Sequence, residues 1–171
     1  MMYEVGQLVQ YGGAGVCEVQ EIKPQVFPDK GERLYYVLRP LYKACVISVP
    51  VESDKVFLRP IITREEAEHL IGLIPTLDCP PPTGRPGREL AERYGAILKS
   101  HDCRDWMELA VALRAKKKRQ QQLKRKLGSV DERYLKQAEE LLFGEFAAAL
   151  EITREEVPGA IAALLETRAS A

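Results

Sequence analysis

The chain has 171 residues, 46% of them hydrophobic, which is typical of a globular protein with one domain or two small ones. Its 25 basic and 25 acidic residues give a formal net charge of zero, so an overall electrostatic attraction to nucleic acid is excluded and only local charge clusters remain. The sequence has neither the long apolar run of a membrane helix nor the basic and apolar regions of a signal peptide.

Residues 1–62 have the pattern of a small β domain. The segment "QLVQYGGAGVCEVQEI" alternates around a Gly-rich turn, and "RLYYVLRPL" and "ACVISVPV" are rich in β-branched and aromatic residues. Turn signals such as "FPDKGE" separate these runs. About five short strands in so short a segment predict a small barrel or a strongly bent sheet.

Residues 63–171 predict an all-α domain of about five helices, which makes the whole chain a multidomain α+β protein. One helix is expected over residues 88–99. The other four should begin at N-cap residues, each of which has an acidic residue three positions later in the sequence. These are Thr63, Asp102, Ser129 and Thr153. The helix that begins at Asp102 is expected to end at Gly128, and the Pro-rich segment 75–87 is expected to be an extended linker within this domain.

A basic segment interrupts the third of these helices. It contains eight basic residues and no acid: Arg114, Lys116, Lys117, Lys118, Arg119, Lys124, Arg125 and Lys126. The apolar stripe from Trp106 to Leu113 is broken there, so this part of the helix should project into solvent, whereas Trp106 should be buried. A solvated helix face, contact with acidic residues after Gly128, and contact with phosphates all explain the segment, and the sequence alone does not separate them.

Residues suited to metal binding or catalysis are scattered. Cys17, Cys45, Cys79 and Cys103 form no CxxC pair and are expected to be reduced thiols. No metal spacing, phosphate-binding loop or nucleophile–base arrangement is present. We therefore expect no metal, no cofactor, no small-molecule substrate and no enzymatic activity.

Six segments, in this order along the chain, resemble the CarD/CdnL family of bacterial transcription regulators that bind RNA polymerase. They are "YEVGQLVQYGGAGVCEVQEI", "YYVLRPL", "VISVPVES", "LRPIITREEAEHLIGLI", "ERYGAILKS" and "DERYLKQAEELLFGEFAAALE". The family's N-terminal Tudor-like module also occurs in the transcription-repair coupling factor. The present chain, however, lacks the GxxxxGK[ST] loop of a helicase motor.

The resemblance implies a division of labour between the two domains. The β module would bind the β subunit of RNA polymerase. The helical domain would bind promoter DNA at the upstream bubble edge, mainly through the phosphate backbone and minor groove, and thereby modulate open-complex stability. Such a protein would be cytoplasmic, associated with the nucleoid and without a membrane partner. In the family, an apolar side chain of the helical domain, called the wedge, enters the minor groove of DNA. The alternative is an adaptor of the same fold that docks on the polymerase without a productive DNA wedge.

The resemblance also implies candidate site residues. Those expected to face the polymerase are Gln25, Arg39, Val46, Ile47, Ser48, Val49 and Pro50. Those expected to face DNA are Leu90 at the family's wedge position, then Arg88, Arg93 and Tyr94 of the same helix. The basic segment adds Lys116, Lys117, Lys118, Arg119, Lys124 and Arg125 as auxiliary phosphate contacts, because Glu92 and Gly95 replace cations usual in the family.

Overall fold

The computed structural model describes residues 3–12, 14–29, 31–53, 57–78, 80–82, 84–85 and 87–169. The chain divides into two compact units, residues 1–62 and residues 63–171, called here the N-terminal unit and the helical unit. The first contains an antiparallel sheet and the second contains helices, which confirms the predicted α+β class.

The N-terminal unit is a Tudor-like small β module, whose described residues form five strands, as the sequence predicted. The strands are β1 (Leu8–Tyr11), β2 (Gly15–Phe27), β3 (Gly31–Pro40), β4 (Ile47–Pro50) and β5 (Leu58–Pro60). They form one antiparallel sheet in the order β4-β3-β2-β1-β5. The strands β4 and β5 are therefore the two edges of this sheet.

A register shift interrupts the pairing of β2 with β3. The long strand pairs with β1 near its start and with β3 along most of its length, and the shift lies between Val19 and Glu21. Such a bulge increases the local twist and bends the strand, which lets a few short strands enclose a core. That core contains Val9, Cys17, Val19, Tyr36, Leu38 and Val49.

The described residues of the helical unit form five α-helices, which confirms the predicted number. They are α1 (Arg64–Leu73), α2 (Arg88–Leu98), α3 (Cys103–Gln122), α4 (Ser129–Leu150) and α5 (Val157–Ala169), with short 3-10 helices at Ile74–Thr76 and Arg154–Glu156. The helix α4 contacts each of the other four and is the centre of the unit. In the described part of the chain, no helix has the length and apolar character needed to cross a membrane.

Three of the predicted N-caps are confirmed. Thr63 Oγ1 accepts a hydrogen bond from the Glu66 amide at 3.1 Å, and Asp102 Oδ1 accepts one from the Arg104 amide at 2.8 Å. Thr153 forms a complete capping box at the 3-10 helix that leads into α5. The box predicted at Ser129 is wrong, because α4 begins one residue earlier than that box requires, with Gly128 as its N-cap and no side-chain cap.

The end of α3 also differs from the prediction, since the helix stops at Gln122 and not at Gly128. The Lys124 amide donates to the Gln121 carbonyl at 3.0 Å, and the Arg125 amide donates to the Gln120 carbonyl at 2.8 Å. Lys124 has a left-handed φ of 57°, so the helix ends in a Schellman motif. Glycine is preferred at this position but not required, which is why the sequence rule failed.

The Pro-rich segment expected to be an extended linker lies partly against the helical unit. Pro80 and Pro82 line a depression of about 280 Å³ whose other walls come from α2 and α3. The linker residues Cys79, Thr83 and Pro86 lie outside the described residues. The other three cysteines, Cys17, Cys45 and Cys103, form no disulfide with one another.

Candidate functional site

The strand β4 presents an open backbone edge. Among the described residues it pairs with β3 alone, with Ser48 opposite Val37. The Val51 amide donates to the Leu34 carbonyl at 3.0 Å, which places Val51 in a hydrogen-bonded pair. Because hydrogen-bonded and non-hydrogen-bonded pairs alternate in antiparallel sheets, the amide and carbonyl of Ser48 point away from β3. They are available to a strand that adds to this edge.

Several predicted polymerase-facing residues lie along this edge. Val46 is 64% exposed and Ser48 is exposed on β4, whereas the predicted residue Ile47 between them packs partly against the sheet core. Gln25 Nε2 donates to Ser48 Oγ at 3.5 Å, so these two residues, far apart in sequence, belong to one surface. Pro50 lines an adjoining groove of about 420 Å³.

Two of the predicted polymerase-facing residues are placed differently. The side chain of Val49 is buried in the sheet core, so it is not available on the surface, contrary to its inclusion in the predicted set. Its position follows from the alternation of faces along a strand, since its neighbours Ser48 and Pro50 point the other way. Arg39 is exposed on β3, opposite Glu18 of β2.

The helix α2 buries the residue proposed as a DNA wedge. Leu90 is only 6% exposed, and Tyr94, one turn later on the same face, is fully buried. Neither side chain contacts solvent enough to reach DNA in this conformation, so the wedge interpretation of Leu90 and the DNA contact of Tyr94 are contradicted by their burial. The period of the helix explains this result, because residues four apart share the face that packs inward.

The two arginines of α2 are exposed but paired with acids of their own helix. Arg88 Nε lies 3.0 Å from Glu92, and an Arg93 guanidinium nitrogen lies 3.7 Å from Glu89. The side chain of Arg88 is 93% exposed, so this ion pair is a weak surface contact. The exposed face of α2 therefore carries balanced charge.

A buried carboxylate joins three helices at the start of the basic segment. The Tyr94 hydroxyl donates to Asp131 Oδ1 at 2.5 Å, and Lys116 Nζ lies 2.7 Å from Asp131 Oδ2. Asp131 is only 4% exposed, in the first turn of α4. Burial, followed by the hydrogen bond and the charge of Asp131, raises the pKa of Tyr94 well above its usual value. The contact fixes α2 and α3 to α4.

Two further ion pairs connect the basic segment of α3 to α4. Arg114 makes a bidentate contact with Glu139, at 2.8 and 2.6 Å, and this hydrogen bonding raises the pKa of the guanidinium. Lys117 Nζ lies 3.0 Å from Glu132. Of the explanations that the sequence left open, contact with acidic residues after Gly128 therefore holds for Arg114, Lys116 and Lys117, so Lys116 and Lys117 are not free as the predicted phosphate contacts.

The other five cations lie at the free end of the hairpin formed by α3 and α4. This set, named here the hairpin tip, comprises Lys118, Arg119, Lys124, Arg125 and Lys126, together with the hydrophobic residue Leu123. All five cations are exposed, and none has an ion pair with a described residue. Leu123 is 64% exposed and is the only large hydrophobic residue of the described helical unit with such exposure.

Leu123 is exposed because α3 ends at Gln122, and the Schellman turn takes Leu123 out of the helical periodicity of the apolar stripe that begins at Trp106. Trp106 is buried as predicted, and its Nε1 donates to the Leu98 carbonyl at 3.1 Å.

In the ranges that the structure describes, no three His, Cys, Asp or Glu side chains come together in a way that could hold a metal ion. The features that remain as candidate sites are the open edge of β4 and the hairpin tip. The first exposes backbone groups and the second exposes positive charge, so each is suited to a macromolecular partner.

Comparison with known proteins identifies the N-terminal unit. The family model of the CarD-like/TRCF RID domain matches residues 3–62, which is nearly the whole of that unit. No curated protein matches the chain significantly. Domains of this family interact with the β subunit of RNA polymerase. The N-terminal unit is therefore a CarD-like/TRCF RID domain.

Proposed function

We propose that this protein is a non-enzymatic bacterial transcription regulator that docks on the RNA polymerase β subunit through its N-terminal unit. Its helical unit contacts promoter DNA at the upstream edge of the bubble and modulates the lifetime of the open complex. The observation that carries the proposal is the CarD-like/TRCF RID domain at residues 3–62, with its open β4 edge. The protein acts by binding, in the cytoplasm and on the nucleoid, without cofactor or substrate.

The docking surface of the proposal is the edge of β4 with its neighbouring side chains. A strand of the polymerase would pair with the outward amide and carbonyl of Ser48, and Val46 would supply apolar contact beside it. Gln25, which bonds to Ser48, lies where it can contact the same partner. Main-chain pairing gives such an interface affinity, and the exposed side chains give it specificity.

Binding of RNA polymerase by variants of β4 tests this docking surface. Ser48→Pro removes the outward amide, and proline is tolerated on an edge strand whose amide faces solvent. Val46→Asp places a charge in the proposed interface, and Val5→Asp is its control because Val5 is 62% exposed elsewhere in the same unit. We expect a several-fold loss of affinity for the first two variants and none for the control. Equal affinities for all three would contradict docking through β4.

The second function to consider is an adaptor that binds the polymerase without productive DNA contact. The burial of Leu90 and Tyr94, together with the balanced charge around Arg88 and Arg93, favours it, because the family's DNA-facing helix offers little to a DNA duplex here. Open-complex lifetime on a promoter separates the two functions. A regulator changes this lifetime at saturating concentration, whereas an adaptor that binds the polymerase leaves it unchanged.

A further inference from the structure

We infer that the hairpin tip is a contact surface for duplex DNA, with its cations on the phosphates and Leu123 at the minor groove. The inference deepens the proposed function and rests on it for the promoter context. It assigns DNA contact to the end of the α3–α4 hairpin and not to α2. No single contact carries it, because three independent features of the tip point to the same partner.

The first feature is the separation of paired from unpaired charge. Arg114, Lys116 and Lys117 are committed to acids of α4, and they hold the hairpin together. The five cations of the tip have no such partner among the residues that the structure describes. Like charges concentrated at one end repel each other, and an anionic partner would relieve that repulsion. Phosphates at a nucleic-acid backbone meet this requirement and would release counterions on binding.

The second feature is the position of Leu123 between two groups of cations. Lys118 and Arg119 precede it near the end of α3, and Lys124, Arg125 and Lys126 follow it. The minor groove of B-DNA is about 6 Å wide and has a row of phosphates on either side. An apolar side chain flanked by cations matches that arrangement, since minor-groove proteins insert leucine-type wedges between base steps while basic residues hold the backbone.

The third feature is the support beneath the tip. The buried contact among Tyr94, Asp131 and Lys116 fixes α2 and α3 to the first turn of α4, and the bidentate Arg114–Glu139 pair adds a second connection. The Schellman motif orders the chain at Lys124. A surface held in this way loses little conformational entropy on binding, which favours affinity.

Charge elsewhere in the helical unit restricts which face DNA can approach. After Gly128 the sequence contains nine acidic residues and four basic ones, but three of these acids pair with cations of α3 and Glu145 is fully buried. The exposed charge of α4 and α5 is therefore nearly balanced, whereas that of the tip is positive, so DNA is attracted to the tip. A membrane fits less well, because membrane-surface helices present a continuous apolar face, whereas the apolar stripe of α3 before the tip is buried.

Duplex binding by the full chain tests the cations of the tip. Anisotropy of a labelled duplex of about 25 base pairs is followed against salt, for wild type, Lys124→Gln/Arg125→Gln and the charge-matched control Lys99→Gln/Lys136→Gln, whose residues are exposed elsewhere on the unit. Each phosphate contact contributes about 0.9 to the slope of log Kobs against log salt, so the tip variant should reduce its magnitude by about 1.8. An unchanged slope, or the same reduction in the control, overturns the inference.

A separate variant tests Leu123, whose replacement leaves the charge unchanged. Leu123→Ala should weaken binding several-fold to a duplex with a flexible TA step and leave the salt slope as in wild type. Equal affinity of wild type and Leu123→Ala overturns the minor-groove contact. An A-form RNA duplex serves as a second probe, because its wide, shallow minor groove should not accommodate the tip in the same way. Equal affinity for RNA and DNA also overturns that contact.

Vesicles containing phosphatidylserine distinguish the membrane from DNA. Tighter binding to such vesicles than to the duplex, lost in the Lys124→Gln/Arg125→Gln variant, overturns the assignment to DNA. Failure of this inference and failure of the proposed function are distinguishable, because the duplex assay contains no polymerase. A protein that binds polymerase but no duplex contradicts the inference alone, and one that binds the duplex but no polymerase contradicts the proposed function alone.

Discussion

The hydroxyl of Tyr94 donates a 2.5 Å hydrogen bond to the carboxylate of Asp131, thirty-seven residues later in the sequence. Both residues are buried, and Lys116 approaches the other oxygen of the same carboxylate. A carboxylate buried to this degree is stable only when its oxygens have partners. The pair thus connects the helix expected to meet DNA with the hairpin whose tip we assign to DNA.

Removing the Tyr94 hydroxyl tests the strength of this contact. Tyr94→Phe should lower the free energy of unfolding by about 1.5–3 kcal/mol, the range for a hydrogen bond to a charged group. Urea unfolding followed by the fluorescence of Trp106, a buried residue of the helical unit, measures it. Tyr134→Phe is the matched control, because the Tyr134 ring contacts Tyr94 while its hydroxyl has no hydrogen-bond partner among the described residues. Comparable losses in both variants would contradict the prediction.

Alkaline pH should weaken the same contact. Because the pKa of Tyr94 is raised in the folded protein, the unfolded chain loses the phenolic proton first, near pH 10, and the folded state then binds more protons. The stability contributed by Tyr94 is complete below pH 10 and decreases above it. The difference in unfolding free energy between wild type and Tyr94→Phe should shrink by up to about 1.4 kcal/mol per pH unit there. Unfolding curves from pH 8 to 11 test this, and a constant difference would refute it.

The lysines at positions 116 and 117 should differ strongly in their importance for stability. Lys116 pairs with the buried Asp131, whereas Lys117 pairs with Glu132, whose side chain is 48% exposed. Lys116→Gln should lower the free energy of unfolding by about 1–3 kcal/mol, because it leaves the buried Asp131 carboxylate with one partner fewer. Lys117→Gln should lower the free energy of unfolding by only about 0 to 1 kcal/mol, because exposed ion pairs contribute little to stability. Each variant removes one positive charge, so urea unfolding compares the two sites directly. Similar losses of unfolding free energy in both variants would count against the prediction.

Lys124 occupies a backbone conformation that glycine adopts more easily. With φ at 57° it is the left-handed residue of the Schellman motif that ends α3. Lys124→Gly should raise the unfolding free energy by about 1 kcal/mol, because left-handed backbone is unfavourable for residues with a Cβ. Lys124→Ala removes the same charge but retains the Cβ, so it should give no such gain. A gain of equal size in both variants would assign the effect to charge instead.

The two free cysteines of the N-terminal unit should react differently with alkylating reagents. Burial, followed by the influence of Cys45, raises the pKa of the Cys17 thiol to about 11, and Cys17 lies in the sheet core. Cys45 is exposed. Iodoacetamide at pH 8 should therefore modify Cys45 in the folded protein and Cys17 only after unfolding, because the thiolate is the reacting form. Peptide mapping by mass spectrometry measures both, and early modification of Cys17 would contradict its burial.

Features encoded by neighbouring residues could be predicted from the sequence. The five strands of the β module, the five helices and the caps at Thr63, Asp102 and Thr153 depend on periodicity and on hydrogen bonds within a few residues. The burial of Trp106 follows from the same periodicity. The resemblance to the CarD/CdnL family was also evident, because the CarD-like/TRCF RID domain carries it in consecutive strands.

The tertiary structure alone decided which residues are free to act. Helical spacing placed Leu90 and Tyr94 on one face of α2 but did not say that this face is the buried one. The pairing of Arg114 with Glu139 joins residues that are twenty-five positions apart, so no local pattern predicts it. Long-range packing of α4 thus divides one basic segment into three cations that stabilise the hairpin and five that remain at its tip. Local sequence determines where helices and strands form, whereas burial and charge pairing depend on which elements meet in space.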